Sequence, residues 1–311
     1  MRKHILIDCD PGVDDTIALL MAFASDKLNI VGLTTVFGNN SVDVTTKNAL
    51  ILNEFFNLKT VVHKGASKGL FIPNKNFGDF HGKNGMGNVD FNSPVSVESG
   101  EYAWDAIYRE AKKYNGELTI VTLGPLTNVA IALFKYEDLN QYVKEIIMMA
   151  GTTTTGNERP FSEANVVSDP HAMQVVLNSG ISLTMIGLNA TETTRMNEEE
   201  HDVMLDKKED ILPEVRGMLR HYKNIQNTLG SAGMVIHDAA AMFAVIEPDS
   251  AESEMFNVDV ELINNAMYGR TIVDIRRHSK LPKNCRVVER IDKDRYLKAL
   301  HETLLWKGNQ T

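Results

Sequence analysis

Apolar and polar positions fall along this chain in two kinds of block. Short apolar runs, His4 to Ile7, Ile30 to Val36, Thr60 to His63, Leu118 to Leu123, Glu145 to Ala150 and Ser182 to Ile186, have the length and composition of buried strands. Between them lie stretches with apolar residues at helical spacing. The first runs through Ile17, Leu20, Met21 and Ala24; others cover Val42 to Phe56, Tyr102 to Tyr114 and Pro170 to Leu177, and Pro125 suits the first position of a further helix. Such alternation predicts an α/β fold, a mostly parallel, Rossmann-like sheet with helices on both faces. The later part is more helical, near Glu209 to Leu229 and Asp238 to Ala244. Val258 to Ile263 and Thr271 to Ile275, joined through Asn264 and Asn265, predict a small antiparallel element near the C-terminus, and Asp292 to Leu305 a closing helix. No internal repeat or low-complexity linker interrupts the chain, so one domain over residues 1–311 is expected. Two loops, Lys64 to Gly100 and Gly151 to Asp169, are too long for plain connections and are expected to be functional.

Composition narrows the classes of partner. Hydrophobic residues make up 43% and charged ones 23%, an ordinary globular balance. The formal charge of −9 argues against a nucleic acid polymer or an anionic membrane face as partner. The N-terminus reaches Asp8 after only three apolar residues, too short a run for a signal peptide, and no stretch of about 18 apolar residues exists to span a bilayer. Two cysteines, Cys9 and Cys285, give no disulfide framework. A soluble, cytoplasmic protein is expected.

The densest chemistry is Asp8-Cys9-Asp10-Pro11-Gly12-Val13-Asp14-Asp15. These carboxylates repel one another unless something positive sits among them, and Pro11-Gly12 turns the chain so that they face inward. Asp14 or Asp15 also suits a helix N-terminus, where an acid gains roughly 0.3–1 kcal/mol. For the cluster as a whole, a hard divalent cation held by oxygen ligands fits better. Its place just after a strand matches where open α/β sheets bind ligands. Cys9 alternates with Asp8 and Asp10 and is expected to point away from them into the sheet's packing, and Asp8 to orient backbone and ligands from behind. A dehalogenase-type phosphatase also uses Asp-x-Asp, but that motif wants Thr or Val where this chain has Gly12, and it has no role for the Asp14-Asp15 pair.

Asp10-Pro11-Gly12-Val13-Asp14-Asp15 resembles the signature of the inosine-uridine nucleoside hydrolases. The resemblance extends over nearly the whole chain: Thr35-Val36-Phe37-Gly38-Asn39, His81-Gly82-Lys83-Asn84-Gly85-Met86-Gly87, Leu123-Gly124-Pro125-Leu126-Thr127-Asn128, Gly156-Asn157, Glu163-Ala164-Asn165, Asp169-Pro170 and His237-Asp238 follow in the family's order. It implies hydrolysis of a ribonucleoside's N-glycosidic bond, in nucleoside salvage or catabolism, with Ca²⁺ held by Asp10, Asp15, Asp238 and the backbone carbonyl of Leu123. By the same resemblance Asp10 is the general base and His237 the general acid. Asp14, Asn39, Asn157, Glu163 and Asn165 are expected to hold the ribose, with Asn189 reaching it as well. His81 is expected near the site, and the loop Phe77 to Met86 is expected to close over substrate. Base preference stays open: His221 and Tyr222 are candidates to lie over the base, but Ile225 and Gln226 stand where a second tyrosine is expected. A homo-oligomer, dimer or tetramer, is also expected. A non-catalytic nucleoside sensor is the alternative in another class; an intact Asp10 and His237 weigh against it.

Overall fold

The computed structural model describes residues 2–73, 80–205 and 210–309. Ten strands form among the described residues: β1 (Lys3–Cys9), β2 (Leu28–Thr35), β3 (Val62–Lys64), β4 (Leu118–Thr122), β5 (Val143–Met149), β6 (Ser182–Ile186), β7 (Ala251–Phe256), β8 (Val258–Val260), β9 (Thr271–Val273) and β10 (Cys285–Ile291). Eight of them make one sheet in the order β3-β2-β1-β4-β5-β6-β10-β7, parallel throughout except for β7, which runs antiparallel to β10 at the edge. The pair β8–β9 is the small antiparallel element expected near the C-terminus.

The pleat of β1 shows how the sheet is filled. Ile5, Ile7 and Cys9 enter one apolar cluster, with the helices Val13–Ala24 and His237–Ile246, while Leu6 enters the other, with the helix Thr127–Lys135. Successive side chains of a strand point to opposite faces, so a continuous apolar run serves a sheet covered on both sides. Cys9 is buried with its Sγ on the carbonyl of Thr34, away from the carboxylates on either side of it.

The strand order reverses at β1, whose neighbours are β2 on one side and β4 on the other. Chains leaving β1 and β4 therefore part company beyond their carboxyl ends and open a crevice there. Asp10 and Leu123 stand at those two ends. Three points of the sequence reading change. The helix after β4 starts at Thr127 rather than Pro125. Strands β7 and β10 were not foreseen, because β10 carries Arg286, Glu289 and Arg290 among its buried positions and has no clean apolar run. Of the segment Glu209 to Leu229, Glu209 lies outside the described residues and the helix runs Pro213–Thr228.

Candidate active site

The turn after β1 is held by the carboxylates themselves. Asp15, in the first turn of the helix Val13–Ala24, reaches back so that Oδ1 accepts from the N–H of Asp10 at 3.1 Å and Oδ2 from that of Gly12 at 3.0 Å. This is the helix-capping role an acid at that position can take. Asn39 joins the two acids: its backbone N–H donates to Asp10 Oδ2 at 2.6 Å and its amide to Asp15 Oδ2 at 2.9 Å. The Asp10 carboxylate lies between two glycines. A Cβ on Gly38 would stand 2.0 Å from its Oδ2, and one on Gly124 2.5 Å from its Oδ1. Behind them Asp8 accepts from Thr34 Oγ1 at 2.6 Å and Asn128 Nδ2 at 2.7 Å, and burial pushes its carboxyl up to about 7.

Asp238 enters from the far end of the sequence, in the first turn of His237–Ile246. Oxygens of Asp14, Asp15 and Asp238 lie within 4.8 Å of one another. Burial, and then the charges of its neighbours, hold Asp238 and Asp10 well above the usual carboxylate range. Asp10 Oδ1 and Asp14 Oδ1 are buried without a hydrogen bond among the described residues. Crowded buried acids with orphaned oxygens lack a positive partner, and an all-oxygen set of this kind suits a hard divalent cation.

Two of these acids, Asp14 and Asp238, line a cleft of about 640 Å³. Asn39, Leu123, Asn157, Glu163 and Asn165 line it beside Asp14 and Asp238; Phe80, Tyr222, Ile225 and Leu229 line its other end, with His237 between. The sequence profile of the inosine-uridine preferring nucleoside hydrolases matches residues 5–298. The chain belongs to that family. It is 35% identical to uridine nucleosidase 1 of Arabidopsis thaliana over 280 residues, 88% of this chain and 83% of that one. It is 32% identical to the inosine-uridine preferring nucleoside hydrolase of Leishmania major over 305 residues, 95% of each chain. A solved plant nucleoside hydrolase superposes with a TM-score of 0.91 at 27% identity, over 98% of this chain and 99% of that one.

This ribonucleoside hydrolase departs from its sequence reading at several positions. The acids whose oxygens cluster within 4.8 Å are Asp14, Asp15 and Asp238, while the Asn39 N–H and two glycines hold Asp10. Leu123 O accepts from Asn165 Nδ2 at 2.7 Å, which leaves the carbonyl one lone pair toward the cleft. Glu163 spends both oxygens on backbone N–H groups of Gly151, Asn165 and Val166, and burial pushes it up to about 7. Asn157 Oδ1 caps the N–H of Ala164, tying the same loop. Asn189 is not among the residues that line the cleft: its amide bridges Thr153 N–H and Val288 O of β10.

The hydrolase's aromatic wall is tied to the acids. Tyr222 is buried and its hydroxyl donates to Asp14 Oδ2 at 3.1 Å, while its ring meets Phe80 edge-on and stands near His81. His81 Nδ1 lies 3.7 Å from Asp14 Oδ1, yet it accepts the Val13 N–H, and burial takes the imidazole down to about 4; it is neutral, not an ion-pair partner. His221 faces the carbonyl of Phe80, and Gln226 clamps Val235 through both its amide atoms, so neither is free for a base. Phe77 lies outside the described residues.

Sequence reasoning missed Thr191. Its Oγ1 lies 2.8 Å from His237 Nδ1, closer than the 3.3 Å to Leu188 O. A proton given to the shorter contact leaves the hydrogen of neutral His237 on Nε2, which no described residue takes. The only hint in sequence is that Thr191 follows the end of β6 by a few residues.

Proposed function

We propose that this hydrolase cleaves the ribose–base bond with Ca²⁺ held by Asp10, Asp15, Asp238 and the Leu123 carbonyl, in nucleoside salvage or catabolism in the cytoplasm. The observation that carries this reading is the buried Asp10 Oδ1 without a partner among the described residues, beside crowded acids of which Asp14 and Asp238 line the same cleft as His237. Bound there, the ion would hold ribose hydroxyls and ease deprotonation of water. Asp10 takes the proton from the water that attacks the anomeric carbon. His237, protonated with Nδ1–H on Thr191 Oγ1, gives the Nε2 proton to the departing base and returns to the neutral ring, with Thr191 keeping the ring in place. Asp14, Asn157 and Asn165 are set to pair with ribose hydroxyls, which both donate and accept. Glu163 and Asn39 act by holding the loop and the two acids they bond. No described helix is long and apolar enough to cross a membrane. The −9 charge likewise fits a neutral small substrate better than a polyanion, and a homo-oligomer of single-domain subunits completes the reading.

The test is ribose release from inosine, adenosine, guanosine, uridine and cytidine, with and without EDTA. Release that falls on chelation and returns with calcium supports the reading. Release indifferent to EDTA overturns the metal assignment, and no release from folded, calcium-loaded protein points to a sensor.

A further inference from the structure

Arg195 stands at the base end of the cleft and is the one Arg or Lys among its described lining residues. It is held on both sides. Nε donates to Glu192 Oε2 at 3.0 Å and Nη2 reaches the same oxygen; Nη1 bonds Ser231 Oγ and, at 3.4 Å, the carbonyl of Gly233. The backbone next to it is fixed as well, since Met196 and Met234 exchange N–H to carbonyl bonds at 2.8 and 2.9 Å. Thr191, adjacent to Glu192, contacts His237 at 2.8 Å, so this turn abuts the group that faces the departing base. The side chain remains 31% exposed. A guanidinium has five N–H groups, and the bonds above leave one on Nη2. Glu192 Oε1 likewise has no hydrogen bond among the described residues, so a donor and an acceptor stand side by side in a cleft whose lining also includes Phe80, Ile225 and Leu229.

We propose that Arg195, braced by Glu192 and Ser231, is a specificity-determining residue that reads the exocyclic carbonyl of the leaving base, selecting nucleosides whose base carries N–H beside C=O. The inference rests on the hydrolase reading above. In such a lactam base the electron pair left by the broken glycosidic bond spreads onto the carbonyl oxygen. A guanidinium N–H there gains strength as the bond breaks, and Glu192 accepts from the neighbouring N–H. An exocyclic amine would place a donor against a donor. A site that pairs its hydrogen-bonding groups with the base rejects an analogue that cannot pair with them more strongly than an apolar pocket does, and the partial exposure of Arg195 and Glu192 moderates that rejection.

The experiment compares kcat/KM for inosine with that for purine riboside, which lacks the carbonyl, and for uridine with cytidine, in wild type, R195Q and R195K. Wild type should favour inosine and uridine by about tenfold or more, and R195Q should cut both ratios by about tenfold. R195K keeps the charge without the fork and should cut them about threefold; it carries the test if R195Q does not fold. Equal losses on paired substrates, or ratios near one in wild type, overturn the proposal. A wild type that releases ribose from every substrate with flat ratios overturns only the role of Arg195. One that releases none overturns the hydrolase reading and this role with it.

Discussion

The two ends of the cleft are built in opposite ways. At the sugar end, Asp8, Asp10, Asp14 and Asp15 come from one strand and the turn and helix start after it; backbone N–H groups within five residues hold Asp15, and the Asn39 N–H holds Asp10. At the base end, Phe80, Arg195 and the helix that carries Tyr222 and Ile225 are three separate segments, tied by side-chain packing and the Gln226–Val235 and Met196–Met234 clamps. The ribose and the attacking water are common to every ribonucleoside, so a rigid local device can hold them. The base differs between substrates, and a wall of separately varying residues can change without disturbing the acids. Asp238 and His237 join the two, adjacent in sequence, one among the acids and the other toward the base.

If that division holds, damage at the sugar end should be severe and blind to the base. Asp10→Asn keeps the shape of the side chain and removes the proton acceptor, and kcat should fall by about 10³-fold or more on all nucleosides alike. The same change removes a buried charge from a crowded set, so in EDTA the variant should melt no lower than wild type. Near-normal turnover, or a loss confined to one base, would break the comparison. His237→Ala should cost about 10²–10⁴-fold on natural nucleosides, and far less on a p-nitrophenyl riboside whose leaving group needs no proton. Equal losses on both substrates would remove His237 from the acid role and leave it with the sugar end.

The same division explains what the sequence made legible. β1 and its acids were readable because the apolar run, the Pro-Gly turn and the carboxylates are contiguous, and the helices on either side follow from simple periodicity. Asn189 misled because a polar residue just past a strand end is the right place for a ligand contact, yet its amide is consumed by Thr153 and Val288 from β10, a strand whose charged pattern concealed it. Gln226, which stands where a second tyrosine is expected, shows the same dependence on the fold: both its polar atoms hold Val235. Glu163 and Asn39 lie at the cleft as their motifs suggest, while their bonds go to backbone and carboxylate. Which partner satisfies a polar side chain depends on residues brought close only by the fold, and no local pattern records it.

Tyr222 is the residue that crosses the boundary, with its ring on Phe80 and its hydroxyl on Asp14. Tyr222→Phe keeps the ring contacts and deletes only the hydrogen bond to Asp14 Oδ2. A bond to a charged acceptor is worth about 1.5–3 kcal/mol, but Asp14 sits in a wet cleft where ribose or water replaces part of it, so about tenfold or less in kcat/KM is expected. The loss should be the same for inosine and uridine, because the deleted group touches the sugar-binding acid and not the base. A loss that differed between the two nucleosides by more than about threefold would assign the hydroxyl to base recognition, and the line between the two ends would then have to be drawn through Asp14.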